Sequence, residues 1–189
     1  MLIMGTKDKL LKESLKIIRK NGLEGLSIRS LTAKVGIKGP SFYEHFKSKN
    51  ELLNVIRLTS LSLLYKDMQI RGGNAKSPKN QLISYGLAYI EFSMLRPDEF
   101  HLLFVESESK RQSQDEEVID SSPYSLLMKS FNLIVNEKKI DDIEALCFGY
   151  WSLVHGISCL RIGHLKNYKV NFERKTKKVL TTYLNGACI

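Results

Sequence analysis

Apolar residues recur along most of the chain at intervals of three and four positions, the spacing that places them on one face of an α-helix. Leu11, Leu15 and Ile18 follow this spacing near the start of the chain, and residues 28–35 repeat it. Alternating apolar and polar runs, which are typical of strands, are few, and the chain has only four prolines. The pattern therefore predicts an all-α protein and argues against a β-sandwich.

Residues that start or stop helices divide this pattern into about nine segments. We expect Thr6 to cap the first helix, and Ser48 with Glu51 to form a capping box at the start of a long one. Gly186 is expected to end the last helix, because glycine tolerates the backbone conformation that follows a helix. Residues 107–122 are polar and weakly periodic, and we interpret them as a mobile loop. The expected architecture is three short helices followed by a bundle of six.

Charge is unevenly distributed between these two parts. The chain carries a net charge of +9. Residues 1–50 hold 11 Lys and Arg against 4 Asp and Glu, a net of +7, whereas residues 51–189 hold 18 against 16, a net of +2. Such an asymmetry favours a small anion-binding module on a nearly neutral body.

Several classes of protein are disfavoured by composition. Cys147, Cys159 and Cys188 are odd in number and scattered, so we expect no disulfide framework and a reducing, cytoplasmic location. Charged residues interrupt the apolar start of the chain, so no signal peptide is predicted. The longest uncharged run, residues 145–160, would rise only about 24 Å as a helix, short of the ~30 Å apolar layer of a bilayer. We therefore expect a buried helix there and no membrane association.

No arrangement of residues points to catalysis or to a metal. The sequence has no Gly-rich phosphate loop and no Ser-His-Asp or Cys-His pattern that can be singled out. His101, His155 and His164 lack a second ligand at metal spacing, and Cys159 and His164, five residues apart, have no partner pair. We therefore predict that the protein is not an enzyme and holds neither a metal nor a cofactor.

Residues 26–46 read as two short helices joined at Val35-Gly36-Ile37, which is the arrangement of a helix-turn-helix. Phe42 and Phe46 are four residues apart, so both are expected to be buried. The outward positions are then small or rich in donors: Gly39, Ser41, Tyr43 and His45, flanked by Lys38, Lys47 and Lys49. Small residues let a duplex approach, hydroxyl groups donate hydrogen bonds, and lysines neutralise phosphates. The unit therefore favours binding in the major groove of DNA.

Residues 25–53, GLSIRSLTAKVGIKGPSFYEHFKSKNELL, are more specific than a two-helix pattern. This stretch closely resembles the N-terminal domain of TetR-type transcriptional regulators, and the resemblance extends over roughly residues 6–54. A second, shorter segment, Trp151-Ser152-Leu153-Val154-His155-Gly156, is similar to the Trp-x-x-x-His-Gly segment of one C-terminal subgroup.

The resemblance implies a homodimer that binds a pseudo-palindromic operator in double-stranded DNA, usually as a repressor. It further implies that a small, partly apolar ligand in the C-terminal domain changes the separation of the two recognition helices. With the charge distribution, it divides the chain into a helix-turn-helix DNA-binding domain, residues 1–50, and an effector-binding and dimerisation domain, residues 51–189. The DNA contacts implied by the matching positions are Ser27, Arg29, Lys38, Gly39, Pro40, Ser41, Tyr43, His45 and Lys49.

Aromatic residues and histidines on the predicted bundle helices are either packed core or the lining of an apolar ligand pocket. The pocket candidates are Tyr85, Tyr89, Phe92, His101, Phe104, Phe148, Trp151 and His155. Both interpretations stay open for each of them on sequence grounds.

Gly149, Gly156 and Gly163 recur every seven residues on one predicted helix. Because each glycine inside a helix costs roughly 1 kcal/mol relative to alanine, this stripe suggests that another helix packs closely there. The resemblance assigns the last two helices to a four-helix dimer interface. The interface candidates are Gly149, Leu153, Gly156, Leu160, Val179, Leu180 and Tyr183. Packing of the stripe within the subunit is the alternative.

Two other functions compete with a ligand-controlled regulator. The first is a helical DNA-binding regulator that has no small-molecule effector and is controlled by a protein partner or by its own abundance. The second is a protein that binds a membrane surface or an acidic partner through its basic N-terminus. The second needs a continuous basic helix, and Gly22, Gly25 and Gly36 interrupt that segment.

Overall fold

The structure is a computed structural model that describes residues 4–104, 122–135, 142–168 and 171–187. The described residues form helices and no strand, which confirms the all-α prediction. The helices are α1 Thr6–Asn21, α2 Ile28–Val35, α3 Gly39–Tyr43, α4 Lys49–Gly72, α5 Pro78–Leu95, α6 Pro97–Phe104, α7 Pro123–Val135, α8 Ile143–Ile162 and α9 Phe172–Ala187. The predicted loop lies outside the described residues except for Ser122, whose hydroxyl accepts a hydrogen bond from the Ser125 amide and caps α7.

Two predicted helix ends are wrong. Gly5, not Thr6, is the N-cap residue of α1, so this helix begins without a side-chain cap. At the other end of the chain, α9 continues through Gly186 to Ala187. Glycine can adopt the left-handed backbone conformation that ends many helices, but it does not have to. A helix with a well-packed inner face can therefore continue past a glycine.

The chain divides into two compact units. The first contains Met1–Ser60 with Asp98–Ser107, and the second contains Leu61–Pro97 with Glu108–Ile189. The sequence-based division at residue 50 stays a prediction.

The core of the first unit holds α1, α2 and α3 together. Leu10 and Leu31 are fully buried in it, as are Phe42 and Phe46, the pair that the sequence predicts to be inside. Leu102 of α6 also packs in this core. Burial of Phe42 fixes the rotation of α3, because the buried side of so short a helix decides which side faces out, and Phe46 is buried just after the helix ends.

Helix α5 forms the centre of the second unit, where it packs against α7, α8 and α9. The close approach depends on Gly86: a Cβ there would lie 2.6 Å from the Tyr150 hydroxyl and 2.9 Å from the Leu180 side chain. Tyr150, fully buried on α8, donates a 2.6 Å hydrogen bond to the Leu82 carbonyl of α5. A side chain at residue 86 would therefore separate α5 from both neighbours.

Helix α8 is less buried than the sequence suggests. By length and composition it could cross a membrane, the only helix of the described residues for which this holds. The expectation that residues 145–160 form a buried helix is wrong, because only one side of α8 is covered: Cys147, Tyr150, Val154 and Ser158 face inward. An apolar helix packed on one side leaves its other side to solvent or to a partner.

Candidate nucleic-acid interface

The turn between α2 and α3 is built by local backbone interactions. Ser27 and Ser30 cap α2 reciprocally, with the Ser30 amide donating to the Ser27 hydroxyl at 3.1 Å and the Ser27 amide donating to Ser30 at 3.2 Å. Gly36 ends the helix in the left-handed conformation, with φ 78°, and its amide donates to the Thr32 carbonyl at 2.9 Å. A residue with a Cβ is strained at that φ, so glycine allows the abrupt change of direction into α3.

Helix α3 presents a short outer face above a buried aromatic base. Lys38 is its N-cap residue, and Pro40 occupies the first turn, where a missing amide hydrogen costs little. Phe42 is fully buried, whereas Tyr43 is 57% exposed and contacts Phe42 edge to face at 5.3 Å between ring centroids. The exposed phenol is thus held in place by the core beneath it.

Most of the predicted DNA-contacting residues lie on the surface of the first unit. Six of the nine are exposed: Ser27, Arg29, Lys38, Gly39, Pro40 and Tyr43. Ser41, His45 and Lys49 are half-buried. No atom lies within 4 Å of a Cβ placed on Gly39, so the start of α3 is open to close approach. A phosphate or base edge can reach this backbone without displacing a neighbour.

Lys49 is already engaged within the unit. Its ammonium group donates to the Leu23 carbonyl at 3.3 Å, which ties the start of α4 to the turn after α1. Next to it, Ser48 accepts a 3.1 Å hydrogen bond from the Glu51 amide, and the Glu51 carboxylate accepts from the Lys47 amide. The predicted N-terminal cap of α4 is therefore present, and a phosphate contact of Lys49 stays a prediction.

The charges on this surface are mostly uncompensated. Among the described residues of the first unit, the ion pairs are Lys16 with Glu13 and Arg19 with Asp98. Arg29 and Lys38 make no ion pair with a described residue. Cations without carboxylate partners can bind phosphate groups. Contacts of this kind make the affinity of a protein for DNA depend on the salt concentration.

Comparison with known proteins identifies this module. Residues 10–56 match the family described as "Bacterial regulatory proteins, tetR family". This segment, about a quarter of the chain, is therefore similar to the DNA-binding helix-turn-helix module of TetR-type transcriptional regulators.

Named relatives match the chain over different lengths. The class C tetracycline repressor of Escherichia coli is 27% identical over 88 residues, which are 42% of this chain and 40% of that protein. The uncharacterised HTH-type regulator YobS of Bacillus subtilis is 19% identical over 186 residues, which are 97% of this chain and 93% of YobS. The chain thus aligns with well under half of the tetracycline repressor.

Solved structures show the same fold at low identity. A protein of unknown function from Rhodococcus sp. RHA1 superposes with a TM-score of 0.85 at 15% identity, covering 100% of this chain and 98% of that one. A TetR-family regulator from Shewanella sp. PV-4 gives a TM-score of 0.76 at 16% identity, covering 98% and 99%. The nine-helix arrangement of the described residues is therefore that of TetR-family proteins.

The eight predicted pocket residues do not share one environment. His101 and Phe104 lie on α6 and belong to the first unit, whereas the other six belong to the second. Phe148 is 63% exposed, so the described residues do not enclose its ring, and its place in a ligand pocket stays a prediction. Tyr85 and Phe92 are buried core residues of α5, and the Tyr85 ring closely covers Gly72. Sequence periodicity cannot separate these cases, because every one of them is an apolar residue on a helix.

Three of the pocket candidates do come together. The Tyr89 hydroxyl lies 3.0 Å from His155 Nδ1, and the Trp151 indole donates to the same hydroxyl at 3.5 Å. The ring of Tyr124 meets Trp151 edge to face at 5.7 Å. Burial lowers the pKa of His155 and raises that of Tyr89, so both groups are neutral near pH 7. The cluster is therefore an apolar surface with a few uncharged polar points.

Two features of the second unit escaped the sequence analysis. His155 Nε2 lies 3.4 Å from the exposed Cys159 thiol, one helical turn away. The signal was their spacing of four residues on one helix, whereas the pair considered from the sequence was Cys159 with His164, five residues apart. The second feature is a groove of about 100 Å³ in which Arg71 pairs with Glu91 and Glu173. The groove is lined by Arg71, Leu87, Ile90, Glu91, Met94, Phe172, Glu173 and Thr176, none of which the sequence analysis selected.

Three of the seven predicted interface residues contact other helices of their own subunit: Leu180 is buried, and Gly149 and Tyr183 are half-buried, so their role in a dimer surface stays a prediction. Leu180 is fully buried. A Cβ on Gly149 would collide with the Tyr183 hydroxyl, which donates a 3.0 Å hydrogen bond to the Leu146 carbonyl. These contacts hold α9 against α8, because Leu180 and Tyr183 lie on the side of α9 that faces the bundle.

The other four interface candidates are accessible. Gly156 is exposed, and no atom lies within 4 Å of a Cβ placed on it. Leu160 is 50% exposed, Val179 is 43% exposed, and Leu153 is half-buried. A role for these residues in dimerisation stays a prediction.

Proposed function

We propose that this chain is a TetR-type, homodimeric, cytoplasmic repressor that binds a pseudo-palindromic operator and is released from it by a small, partly apolar ligand. The observation that carries the proposal is the outer face of α3, which rests on fully buried Phe42 and exposes Lys38, Gly39, Pro40 and Tyr43. A rigid helix with an open, uncompensated basic edge fits the major groove and its phosphates.

The chemistry of α3 favours readout by shape and apolar contact. Gly39 and Pro40 offer no side-chain donor, and Ser41 is half-buried. Arg29, exposed at the start of α2, has the five-donor fork that matches a guanine edge, a contact worth about 1–3 kcal/mol. We therefore assign base recognition chiefly to Arg29 and Lys38, and phosphate positioning to Ser27, Tyr43, His45 and Lys49.

A second copy follows from the size of the recognition helix. Helix α3 has only five residues, so one unit can contact few base pairs. Two copies related by a two-fold axis read two half-sites about 34–36 Å apart and thereby double the contacts. The uncovered side of α8 in the second unit offers the surface on which such a pair can form.

Effector binding is assigned to the cluster of Tyr89, Trp151 and His155, where three polar groups meet among aromatic rings. A ligand releases the operator only if it binds the conformation that does not fit DNA more tightly than the one that does. Because His155 and Tyr89 are neutral, the ligand best suited to the cluster is uncharged and hydrogen-bonding.

The alternative is a regulator that binds DNA in the same way and has no small-molecule effector. The groove beside Arg71 encloses about 100 Å³, too little for a drug-sized ligand, which occupies roughly 300–1,000 Å³, so this groove is not proposed as an effector site. In the alternative, a protein partner or the abundance of the regulator controls operator occupancy. We propose no catalytic role in either case.

A binding selection from random duplex DNA, followed by release assays with small molecules, tests the proposal. The expected result is enrichment of a two-fold symmetric site whose binding is lost in Tyr43→Ala and retained in Tyr65→Ala, a matched tyrosine on α4. Loss of binding on adding an uncharged aromatic compound to wild type, but not to His155→Ala, supports ligand control. Failure to enrich any site refutes operator recognition, and release by no compound in the set favours the alternative.

A further inference from the structure

Four side chains of the second unit form a continuous series of polar contacts that ends at the surface. The Trp151 indole donates to the Tyr89 hydroxyl oxygen at 3.5 Å, and that oxygen lies 3.0 Å from His155 Nδ1. On the other side of the imidazole, His155 Nε2 lies 3.4 Å from the exposed thiol of Cys159. We call Tyr89, His155 and Cys159 the Cys159 relay. The cluster assigned above to effector binding therefore extends through His155 to a nucleophilic group at the surface.

The order of the groups in the Cys159 relay is that of an activated nucleophile. A thiol reacts as its thiolate, so a neighbouring group that accepts the thiol proton makes it more reactive. His155 Nε2 is at hydrogen-bond distance from the sulfur, and the spacing of four residues on α8 holds both groups on one side of the helix. A third side chain that holds the base by its other nitrogen completes such an arrangement, and here it is Tyr89.

The contacts of Tyr89 indicate which nitrogen of His155 carries the proton. The phenol oxygen accepts a hydrogen bond from the Trp151 indole and has a second lone pair. With the imidazole proton on Nδ1, this second lone pair accepts it, and Nε2 keeps its own lone pair for the thiol. We assign the proton to Nδ1 on this ground.

At rest, the relay contains a neutral thiol beside a neutral imidazole. Burial lowers the pKa of His155, so the ring is uncharged near pH 7 and can accept a proton. Tyr89, which faces the ring from α5, is neutral as well, because burial raises the pKa of its hydroxyl. An imidazole with a lowered pKa does not keep the thiol proton, so the proton moves only while the sulfur forms a new bond. The relay therefore favours an electrophile that lies beside the imidazole.

The surroundings of the relay favour an electrophile without charge. Tyr89 and Trp151 present uncharged aromatic rings, on which a planar molecule can lie. Arg161, the charged residue of α8 that is nearest to Cys159 in sequence, is engaged by Phe172, on which its guanidinium group stacks at 4.9 Å. An anion or a cation would therefore find no opposite charge prepared for it among these groups.

We propose that Cys159 is a covalent modification site, at which the thiol adds to an uncharged α,β-unsaturated carbonyl compound while His155 takes up and returns the proton. The proposal rests on the effector cluster of the proposed function and adds the chemical class of its ligand. Tyr89 is a positioning residue, because it acts on the reaction only through His155.

The addition is balanced without any further reactant. The S–H bond of Cys159 breaks and its proton passes to His155 Nε2, while the sulfur electron pair forms a bond to the β-carbon of the ligand. The electrons of the C=C bond shift toward the carbonyl oxygen and give an enolate. The imidazolium then returns the proton to the α-carbon, which leaves a thioether, a saturated carbonyl group and neutral His155. No group leaves, and no oxidant or reductant takes part.

Cys159 lies at the edge of α8 that is closest to the effector cluster. Successive residues of a helix are rotated by about 100°, so Cys159 is about 60° from Gly156 and about 100° from Leu160 around the helix axis. Those two residues are the neighbouring candidates for contact with a second copy. The proposal requires the edge at Cys159 to stay accessible in the homodimer, so the experiments use the native protein.

The rate of addition tests the relay. The probe is 2-cyclohexenone, an uncharged enone, in a Cys188→Ser background, and mass spectrometry with peptide mapping measures the adduct at Cys159 and at buried Cys147. The control, Cys159→Ser/Thr59→Cys, places a thiol at an exposed position of α4 that has no histidine within one helical turn. Cys159 is expected to react at least about tenfold faster than this thiol, since a positioned base contributes up to about 10²–10⁴-fold.

Removal of the base distinguishes a chemical role of His155 from a structural one. His155→Gln keeps a hydrogen-bonding side chain without a proton acceptor of that strength, and it should slow the addition to the rate of the control thiol. Its rate should then rise close to tenfold between about pH 7 and pH 8, as expected for a thiol with a pKa near 8.5 that reacts as its thiolate. The wild-type rate should change by less than about twofold over this range, because His155 is already neutral. Altered packing alone would not produce this difference in slope.

A second variant tests the part assigned to Tyr89. Tyr89→Phe keeps the ring and removes the hydroxyl group that orients the imidazole. The addition should become several-fold slower and keep the flat pH profile, because the base is still present. A steep profile like that of His155→Gln would instead place the proton acceptor at Tyr89 and overturn the role of His155.

Operator binding separates the covalent site from the proposed function. Weaker operator binding after enone treatment of wild type, but not of Cys159→Ser, that persists after dialysis supports a covalent effector. An adduct with the expected pH profile and unchanged operator binding supports the site and overturns its effector role. A chain that forms the adduct but selects no operator refutes the proposed function and leaves the modification site intact.

Two results overturn the modification site itself. The first is an equal rate of addition, within about threefold, for wild type, His155→Gln and the control thiol, which would leave reversible release by another ligand possible. The second is a native protein in which Cys159 does not react although it reacts after unfolding in urea, because the edge of α8 would then be covered.

Discussion

The two units of this regulator use their residues differently. In the first unit, individual residues determine backbone geometry: Ser27 caps α2, Gly36 turns the chain at φ 78°, and Phe42 fixes the rotation of α3. In the second unit, the residues packed around α5 need only be apolar and of a size that fills the core. Residues 10–56 accordingly match the family description, whereas the rest of the chain matches solved TetR-family structures in fold. Geometry that depends on single residues leaves a recognisable sequence, and packing that depends on shape does not.

The two units also differ in the meaning of an exposed aromatic residue. Tyr43 is 57% exposed and has polar and basic neighbours, a surface that suits contact with DNA. Phe148 is 63% exposed and has small neighbours on α8, a surface that suits packing against another helix. The contrast therefore concerns the surroundings of the two exposed rings, which are polar for Tyr43 and apolar or small for Phe148.

The largest expected effect contrasts Phe42 with Phe148. Phe42→Ala removes a fully buried ring from the core of the first unit and should lower the free energy of unfolding by about 3–5 kcal/mol. Phe148→Ala removes an exposed ring and should change the unfolding free energy of the monomer by less than about 0.5 kcal/mol. Urea denaturation at a concentration that keeps the protein monomeric checks both values, and equal losses would contradict the assigned burial.

The next effect concerns DNA affinity. Arg29→Ala should weaken operator binding by about 1–3 kcal/mol and relax the preference at one base pair. Lys38→Ala should lose part of that preference as well, whereas Lys66→Ala, an exposed lysine of α4, should leave affinity and specificity unchanged. Fluorescence anisotropy with the selected operator and its single-base variants measures both quantities. Loss of affinity without any change in base preference would reassign Arg29 to a phosphate.

Replacing one glycine with alanine in each unit compares the backbone conformations of the two units. Gly36→Ala forces a residue with a Cβ into the left-handed region and should cost about 1–2 kcal/mol of stability. Gly156→Ala lies inside α8 with open space around it and should stabilise the monomer by up to about 1 kcal/mol. Thermal denaturation of the two variants is expected to move the midpoint in opposite directions, and a shift of Gly36→Ala to higher temperature would contradict the turn geometry.

The smallest effect is a pH dependence in the second unit. Burial lowers the pKa of His155 in the folded chain, so the unfolded chain binds the extra proton more readily. The contribution of neutral His155 is fully present above the unfolded pKa of about 6.5 and is lost as the pH falls below it. Unfolding free energies at pH 7.5 and pH 5.5 should therefore differ less in His155→Gln than in wild type. His164→Gln, an exposed control, should keep the wild-type difference.

The parts of the structure that depend on local interactions could be predicted from the sequence. Phe42 and Phe46 are buried, and Ser48 caps the start of α4, because neighbours within four residues decide these features. The three-dimensional position of Phe148 could not be predicted in the same way. Helix α8 is apolar on several sides, and which side is inside depends on how α5, α7 and α9 pack around it.

The same limit applies to α9. Leu180 and Val179 are adjacent apolar residues, yet the first is fully buried and the second is 43% exposed. Their sequence positions do not reveal the rotation of α9, which is set by the contact of Tyr183 with Gly149 and Leu146. The pairing of His155 with Cys159 was missed because one exposed thiol near one imidazole has no distinctive spacing beyond a single helical turn.

The most direct test of sequence-specific DNA binding is the ratio of two dissociation constants measured at one salt concentration. One duplex carries the selected two-fold symmetric site, and the other carries the same bases in scrambled order. The account predicts binding tighter by at least about 10³-fold for the selected site, with the ratio collapsing in Arg29→Ala/Tyr43→Ala. Equal affinity for the two duplexes would mean that the first unit binds DNA only as a polyanion, and would contradict operator recognition by α3.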